Sequence, residues 1–311
     1  MIAAVGELLY LTRADVEQLL DVDSMLDALA SALVAYSSGK ASAPARTSVR
    51  VEHGLLGVMP GYVPGAALES KLVSVFPGND EHGLPSHQAL IALFDEHTGA
   101  PLALMDGTYI TAIRTGGTAA VAARVLARTD ARVLAILGAG VQGWSHLETF
   151  PRVRDFTEIR VASRNRERAS DLAAHNPRAH AALSFEDAVR GADVVACCTD
   201  AREPILLRDW LEPGVHVSAV GGTFGPELDR ETVRDASIFV EWRGAATNAP
   251  PAGAPDLQGV DPSRVTELGE VIAGTKPGRR SRDEITLYKS TGLAVEDAAA
   301  AALVLRRAAA R

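Results

Sequence analysis

The chain has little cysteine and few aromatic residues. Its two cysteines, Cys197 and Cys198, are adjacent, and aromatic residues make up only 5% of the 311 positions. Adjacent cysteines cannot join distant segments, and two of them supply neither a disulfide framework nor the spacing of a zinc site. We interpret both as small buried side chains on a strand.

Long apolar runs and an excess of positive charge are also missing. No uninterrupted run approaches the roughly 18 apolar residues that span a bilayer, and the N-terminal stretch carries acids early without a basic segment. The net charge of −8 leaves no basic footprint for nucleic acid. HExxH motifs, nucleophile elbows and metal triads are absent, which disfavours hydrolytic and metal chemistry. We therefore expect a cytoplasmic protein without a membrane or nucleic-acid partner.

A glycine turn is the strongest local signal that is present. Residues 133–137, VLAIL, predict a short buried strand, and a helix is predicted after the turn. In a dinucleotide-binding βαβ unit the first glycine makes the tight turn, the second admits a pyrophosphate and the third packs helix on strand, with the anion at the helix N-terminus. A turn without a ligand is the alternative. The predicted cofactor-binding residues of the turn are Gly138, Gly140, Val141, Gln142 and Gly143.

The order of predicted elements indicates two kinds of structure. Residues 11–37 have apolar positions at helical spacing, and residues 44–106 contain short β-like runs separated by glycine and proline. An alanine-rich helix near residues 109–128 leads into the strand before the glycine turn, so we expect a domain boundary near residue 115. After the turn, strands alternate with helices, which predicts a parallel sheet buried on both faces. A final helix is predicted after a cap at Ser290 and Thr291.

The end of the second predicted strand lacks the acid that would select NAD. About twenty residues past the last glycine of the turn stands VASRNRER, where a carboxylate would bind the ribose 2′-OH. Arginine suits phosphate oxygens, and no acid there repels a 2′-phosphate. We expect NADPH rather than NADH, the alternative being a solvated basic turn. The residues of this predicted site are Ser163, Arg164, Asn165 and Arg166.

Three cations and one histidine are further candidates. Arg46 and Lys71 fall in the β-rich segment, and Arg114 lies beside the predicted domain boundary. Surface charge is the ordinary explanation for each, but a cationic set at a domain junction suits a substrate carboxylate or cofactor phosphates. His87 stands beside an apolar run, where a structural role and a role as a ligand or acid both remain open.

The assembled motifs resemble the ornithine cyclodeaminase/mu-crystallin family, and its mu-crystallin branch most closely. They cover residues 44–300 and are together far more specific than the glycine turn alone. The motifs are APARTSVR, HGLLGVMPGY, SKLVSVF, LPSHQALIALFD, LALMDGTYITAIRTGGTAA, VLAILGAGVQGWSHLE, VASRNRERA, EPILLRDWLEPGVHVSAVGG, TELGEVIAG and YKSTGLAVEDAAAA.

The resemblance implies an α/β homodimer with two domains in each subunit. Residues 115–291 would form an NADP-binding Rossmann-type domain, and residues 1–114 with 292–311 a discontinuous α+β substrate-binding and dimerisation domain. Arg46, Lys71 and Arg114 match positions that hold the substrate, and with His87 they form the predicted catalytic set. Further predicted cofactor-binding residues are Ser86, Thr115, Thr199, Val220, Gly221, Ser290 and Gly292.

One position departs from the cyclodeaminase pattern. Cyclodeaminases carry an aspartate shortly after the strand that ends near Gly221, whereas the matching residue here is Thr223, which we count as a candidate substrate contact. Threonine cannot serve as a general base at neutral pH, so the lyase cycle is in doubt. The mu-crystallin branch also lacks this aspartate, and the resemblance to that branch implies an NADPH-dependent ketimine reductase.

We therefore expect an enzyme that transfers a hydride from NADPH to the C=N carbon of a carboxylate-bearing imine, with an imine or amino acid as its small-molecule partner. Arg46 and Arg114 would hold the carboxylate, and Lys71 would interact with it and help to maintain or deliver the proton on the imine nitrogen. The alternatives are an NADP-dependent amino-acid dehydrogenase, a residual ornithine cyclodeaminase, and an NADPH-dependent protein that binds a thyroid-hormone-like ligand without turnover. A methyltransferase is a more distant alternative, because such enzymes also place glycines after a first strand.

Overall fold

The structure, a computed structural model, describes residues 8–222 and 225–311, with no side-chain description for Asp80. The chain divides into two compact units, Met1–Arg114 with Leu293–Arg311 and Thr115–Gly292. The first break falls where the sequence placed it. The second falls one residue later than expected, so Gly292 belongs to the second unit rather than the first.

Strands and helices largely alternate along residues 133–289, as in a Rossmann-type domain, whereas residues 47–106 form consecutive strands, as in an α+β domain, and this confirms the predicted fold class. The strands are β1 (Leu9–Leu11), β2 (Thr47–Val51), β3 (Gly54–Val63), β4 (Ala67–Val75), β5 (His87–Phe94), β6 (Pro101–Asp106), β7 (Val133–Leu137), β8 (Glu158–Ala162), β9 (Ala179–Ala181), β10 (Val194–Cys197), β11 (His216–Ala219), β12 (Ser237–Val240), β13 (Val265–Glu267) and β14 (Thr286–Lys289). The helices are α1 (Arg13–Leu19), α2 (Val22–Ser37), α3 (Gly107–Leu126), α4 (Val141–Thr149), α5 (Arg166–Ala173), α6 (Phe185–Val189), α7 (Arg230–Asp235), α8 (Gly244–Thr247), α9 (Leu268–Ile272) and α10 (Ala294–Ala309).

The first unit is a six-stranded sheet with helices on one face. Its strand order is β1-β6-β5-β4-β3-β2, and all neighbours are antiparallel except β1 with β6. Helices α2 and α10 pack together, and α10 lies against β3, β4 and β5. Because side chains alternate between the faces of a strand, every second residue points toward these helices. One row of this kind, paired across four strands and fully buried, is Met59, Lys71, Ile91 and Met105.

The opposite face of the same sheet is apolar and exposed. Leu72 pairs with Leu90 across β4 and β5, and their exposed fractions are 41% and 42%. Leu56 on β3 and Val49 on β2 extend the exposed apolar surface to the edge of the sheet. A contiguous patch of this kind is typical of an interaction surface rather than of scattered surface residues.

The second unit contains an eight-stranded sheet with the order β13-β12-β14-β11-β10-β7-β8-β9, in which every pair is parallel. From β7 the chain runs outward through β8 and β9 and then returns to place β10 on the other side of β7. This reversal is a topological switch point, where doubly wound sheets bind ligands at the carboxyl ends of their strands. The strands predicted at β8, β10, β11 and β12 are confirmed.

Two features near residue 290 were not predicted correctly, one in each unit. Strand β14 lies between β11 and β12, although its four residues end in a lysine and gave no strand signal. Helix α10 does not begin at the expected cap of Ser290 and Thr291, because Gly292 adopts a φ of 76° and the helix starts at Ala294 with Leu293 as its N-cap.

Within the described parts of the chain, no helix is long and apolar enough to cross a membrane.

Candidate functional site

The glycine turn after β7 has the geometry of a dinucleotide site. Gly138 has a φ of 116°, and a Cβ there would lie 2.6 Å from the carbonyl oxygen of Cys198. A Cβ on Gly143 would lie 2.0 Å from the carbonyl oxygen of Gly138, so close packing of helix on strand requires glycine. Above Gly140, by contrast, no atom lies within 4 Å of where a Cβ would be. The first and third positions are therefore filled by the fold, and the second is open to a pyrophosphate.

Helix α4 begins at this opening and presents its N-terminus there. Its N-cap, Gly140, supplies no side-chain hydrogen bond, and Val141 is 60% exposed. The side-chain oxygen of Gln142 accepts a hydrogen bond from Ser145 Oγ at 3.1 Å. Backbone N–H groups at an uncapped helix start, together with the helix dipole, favour an anion. The residues present at this turn therefore fit the pyrophosphate of a nicotinamide dinucleotide.

The four residues predicted to bind the 2′-phosphate after β8 have two different roles: Ser163 and Asn165 shape the turn, and Arg164 and Arg166 are exposed. Ser163 Oγ accepts the N–H of Asn165 at 3.2 Å, and the Asn165 side chain caps α5, so both side chains build the turn. Arg164 is 85% exposed in its side chain, and Arg166 is also exposed. The sequence missed Asp200, whose carboxylate lies 4.0 Å from the Arg164 guanidinium. An exposed pair at that separation is weak, so the guanidinium stays available to a phosphate.

In the first unit, a buried acid joins two of the three predicted substrate cations. Lys71 Nζ lies 2.7 Å from Asp297 Oδ2, and Arg114 Nε donates to Asp297 Oδ1 at 2.9 Å. A second acid, Glu296, accepts from Arg114 Nη1 at 2.6 Å. None of the four side chains is more than 5% exposed. We call Lys71, Arg114, Glu296 and Asp297 the β4–α10 cluster.

Sequence reasoning missed both acids of this cluster. Glu296 and Asp297 stand in the first turn of α10, where carboxylates are expected simply because they favour the helix N-terminus. The signal that could have identified them is burial, since α10 has apolar or alanine side chains around most of its circumference. A charged residue on the buried side of a helix needs a charged partner.

Burial determines the protonation chemistry of Lys71. Desolvation lowers the pKa of its ammonium to about 8, and Asp297 only partly offsets that effect. Burial alone would raise the pKa of the Asp297 carboxyl, but Arg114 and Lys71 outweigh it and lower the pKa. An ammonium that loses its proton near neutral pH beside a permanent carboxylate is suited to deliver a proton.

Glu69 is a fifth ionisable group of this region that the sequence did not single out. It lies two residues before Lys71 on the same face of β4 and is 2% exposed. Within the described residues, neither of its carboxyl oxygens accepts a hydrogen bond. Burial first, and then the negative charge of Asp297, raise the pKa of this carboxyl well above its usual value. Burial therefore favours the protonated form of Glu69 beside the β4–α10 cluster.

Arg46 and His87 lie farther along the same sheet. Arg46 immediately precedes β2, and continuing the register of β2 by one residue places it opposite Met59, the partner of Lys71. Two strand spacings then separate Arg46 from Lys71, about 10 Å. His87 is exposed at the start of β5, with Ser86 Oγ 3.1 Å from its Nδ1. The catalytic roles of Arg46 and His87 stay predictions.

Most of the remaining predicted cofactor residues lie at the carboxyl ends of neighbouring strands. Thr199 follows β10, Val220 and Gly221 follow β11, and Ser290 and Gly292 follow β14. Thr115 is buried within α3. Thr223, the position of the missing acid, lies outside the described residues.

Three buried charges connect these strand ends. Glu227 accepts hydrogen bonds from Thr199 N and Oγ1, both at 2.7 Å, and from Gly221 N at 2.9 Å. Lys289, the last residue of β14, lies 2.8 Å from Asp256 Oδ2 and donates to the carbonyl of Gly221 at 2.7 Å. We call Glu227, Asp256 and Lys289 the strand-end triad. The sequence did not predict it, because its members are separated by loops of irregular structure.

Comparison with known proteins agrees with this architecture. The family model described as the ornithine cyclodeaminase/mu-crystallin family matches residues 7–311. The chain is 41% identical over 305 residues to the ketimine reductase mu-crystallin of Mus musculus, covering 95% of this chain and 96% of the mouse protein. The structure of Thermococcus litoralis Δ1-pyrroline-2-carboxylate reductase in complex with NADH and L-proline superposes with a TM-score of 0.92 at 37% identity, covering 97% of this chain and 98% of that one.

A second solved structure broadens the chemistry represented among the relatives. It is an archaeal alanine dehydrogenase dimer with bound NAD, with a TM-score of 0.89 and 34% identity, covering 98% of this chain and 97% of that one. The matches extend over both units, and the family model covers nearly every residue. The chain belongs to the ornithine cyclodeaminase/mu-crystallin family.

Proposed function

We propose that the protein is a nicotinamide-dependent reductase that transfers a hydride to the C=N carbon of an imine bearing a carboxylate, giving an amino acid. The observation that carries the proposal is the buried pairing of Lys71 and Arg114 through Asp297. It supplies a guanidinium for a carboxylate and an ammonium able to give up a proton. The mouse and Thermococcus relatives, a ketimine reductase and a pyrroline-2-carboxylate reductase, support the same reaction class.

The nicotinamide cofactor, when bound, supplies the hydride, and the chain supplies orientation and a proton. Arg114, held rigidly by Glu296 and Asp297, offers donors in a planar fork that suits a substrate carboxylate, and Arg46 adds a second cation. Lys71 keeps the imine nitrogen protonated, because its pKa of about 8 allows the proton to move at neutral pH. A protonated C=N carbon accepts a hydride more readily.

We further propose NADPH as the preferred cofactor. The support is the exposed pair Arg164 and Arg166 after β8 and the lack of an acid within that turn. Asp200, 4.0 Å from Arg164, moderates the preference by placing a negative charge beside the expected 2′-phosphate. NADH is accordingly expected to bind more weakly rather than not at all.

A second copy of the chain is the proposed partner, and the cytoplasm the proposed location. The exposed apolar face of the first unit, with Leu56, Leu72 and Leu90 at its centre, is the surface that would be covered. The archaeal alanine dehydrogenase relative is described as a dimer. Light scattering should give the mass of two chains, and a monomer at all concentrations would contradict the assignment.

The test of the reaction is direct. Oxidation of NADPH should be followed with piperideine-2-carboxylate and pyrroline-2-carboxylate, and we expect turnover of at least one. Failure of both, and of other α-imino acids, would remove the proposed activity. Affinity for a bulky aromatic carboxylate that rises with NADPH but gives no turnover would favour a binding protein instead.

An amino-acid dehydrogenase is the second candidate, because a similarly close relative in structure is an alanine dehydrogenase. Such an enzyme must accept a linear amino acid and free ammonia. Reduction of NADP⁺ or NAD⁺ by alanine, faster than by proline or pipecolate, would favour this candidate over the reductase.

A further inference from the structure

The strand-end triad contains two carboxylates and one cation, all inaccessible to solvent. Lys289 Nζ lies 2.8 Å from Asp256 and 3.7 Å from Glu227, and each of the three side chains has an exposed fraction of 0%. Among residues 8–222 and 225–311, Lys289 is the one cation that forms an ion pair with either carboxylate. The charges of the triad therefore do not cancel if all three groups are ionised.

Hydrogen-bond geometry indicates that both acids are ionised. Glu227 only accepts: two donors of Thr199 reach one oxygen, and the N–H of Gly221 reaches the other. Asp256 Oδ1 accepts the backbone N–H groups of Glu227 and Leu228 at 2.8 and 3.0 Å, and its other oxygen faces Lys289. Backbone N–H groups and the Lys289 ammonium can only donate, so they favour the ionised form of each carboxyl, whereas the Thr199 hydroxyl can either donate or accept. Burial raises the pKa of Glu227, and Lys289 and the hydrogen bonds from Thr199 oppose that effect.

The triad consequently carries a net charge of about −1 in a place from which water is excluded. Its influence extends to the neighbouring strand end: after burial, the charge of Glu227 is the next cause that raises the pKa of the thiols of Cys197 and Cys198. A neutral amide could accept backbone N–H groups on its oxygen only, whereas Glu227 accepts on both of its oxygens. A buried net negative charge of this kind interacts favourably with a positive charge that develops near it.

Sheet topology indicates which ligand group faces the triad. The pyrophosphate belongs at the turn after β7, and the ribose next to adenine belongs at the end of β8, on one side of the switch point. A dinucleotide that crosses the switch point must place its other half over the ends of β10, β11 and β14. Those are the strands that Glu227 and Lys289 join.

We propose that the strand-end triad stabilises the positive charge that the nicotinamide ring acquires as it gives up hydride. This inference rests on the proposed function. In that step the C4–H bond of the neutral dihydronicotinamide breaks, both electrons leave with the hydrogen, a C–H bond forms at the iminium carbon, and the ring becomes cationic. The triad needs no contact with the reacting atoms, since its net negative charge acts through a buried, weakly screened medium. Its members are positioning residues that also set the electrostatic balance between the two cofactor forms.

The experiment measures the dissociation constants of NADP⁺ and NADPH separately, by titration without substrate. Glu227→Gln keeps the shape of the side chain and removes one negative charge, but it also replaces one of the two acceptor oxygens by an NH2 donor, so its result is interpreted together with that of Asp256→Asn. We expect the ratio of the NADP⁺ constant to the NADPH constant to rise about tenfold, the size of one unit charge felt through partly polar surroundings. Asp256→Asn should raise the ratio in the same direction.

A charge-restoring double variant separates this role from simple loop bracing. Glu227→Gln combined with Lys289→Met removes one charge of each sign and returns the triad to a net charge of about −1, so the ratio should return toward that of the native protein. A bracing role alone predicts that both constants rise together and that the double variant binds both forms worse. Glu231→Gln, an exposed change of the same chemistry on α7, is the matched control and should leave the ratio unchanged.

The outcomes are distinguishable once thermal unfolding shows which variants fold. Equal weakening of both cofactor forms in Glu227→Gln and in Asp256→Asn would overturn this inference and leave the proposed function standing. Failure of the native protein to bind either form of NADP or NAD would overturn the proposed function itself, and the inference with it.

Discussion

The molecule buries two lysines beside carboxylates, one in each unit, and burial affects them differently. Desolvation is the largest influence on both and lowers the pKa of an ammonium. Lys71 ends with its pKa lowered to about 8, whereas the pKa of Lys289 is raised above its usual value. The same residue type in equally buried positions therefore has opposite protonation behaviour.

The neighbouring charges explain the difference. Lys289 faces two carboxylates, Asp256 and Glu227, with no second cation in the triad. Lys71 faces Asp297, which it shares with Arg114, and the guanidinium charge opposes the ammonium charge. A lysine with a competing cation can release its proton, and a lysine with surplus carboxylates cannot. We infer that the first arrangement serves proton transfer and the second serves a fixed charge.

Of the two buried lysines, Lys71 in the first unit is the one whose substitution should have the largest effect, and that effect should be on catalysis. Lys71→Met removes the proton donor, and we expect kcat/KM for imine reduction to fall by about 10²–10⁴-fold. Asp297 keeps Arg114 as its partner, so the fold should persist. Steady-state kinetics with a cyclic imine, beside nucleotide affinity as the control, measures the effect. A variant with native kcat/KM would remove Lys71 from the chemistry.

The corresponding substitution in the second unit should act on stability instead. Lys289→Met leaves Asp256 and Glu227 buried without a cation, and breaking a buried pair in this way costs about 3–5 kcal/mol of the free energy of unfolding. Chemical denaturation of native and variant protein gives the number. Arg280→Met, which breaks an ion pair with a 68% exposed arginine, is the control and should cost at most about 1 kcal/mol. Similar losses for both variants would contradict the contrast between buried and exposed pairs.

The exposed pair of Arg164 and Asp200 can be compared with the two buried lysine pairs. Water screens the attraction between these two side chains, so Arg164 remains able to bind a phosphate. Arg164→Asp should remove a phosphate contact of about 1.5–3 kcal/mol, a loss of about 10- to 100-fold in NADPH affinity. Asp200→Asn should strengthen NADPH binding a few-fold by removing a repelling charge. Calorimetry with NADPH and NADH checks both, and NADH affinity is the internal control. Unchanged NADPH affinity in Arg164→Asp would contradict the assignment of NADPH as the preferred cofactor.

What the sequence could predict depended on how local each signal was. Gly138, Gly140 and Gly143 carry their meaning within six residues, and the structure gives each a fitting geometry. Asp297 lies 226 residues from Lys71 and 183 from Arg114 along the chain, so no spacing rule connects them. The cations were candidates because of their place in the β-rich segment and beside the predicted domain boundary, and the family resemblance then implied that they hold the substrate.

The β4–α10 cluster and the strand-end triad show that sequence patterns also fail to predict which charged residues are buried. Strand β14 was missed because four residues ending in Lys289 do not resemble a central strand, and the lysine is tolerated only because two distant acids meet it there. Glu69 and Lys71 share a strand face by parity, which the sequence does show, but it does not show that this face is the buried one. The hydrophobic pattern of a sequence therefore does not predict which charged residues are buried in the fold.

The smallest expected effect concerns pH and depends on Glu69. If Lys71 donates the proton, reductase activity should fall as the pH rises through about 8, since the ammonium must be protonated to act. The charge that Glu69 carries when ionised raises the pKa of Lys71, so Glu69→Gln should move the alkaline limb of the kcat profile to lower pH. The shift should be small, because Glu69 has a smaller influence on the pKa of Lys71 than burial, Asp297 and Arg114 have. Activity at the acidic end should be unchanged, and a shift of the limb to higher pH would show that Glu69, rather than Lys71, is the group whose proton is lost.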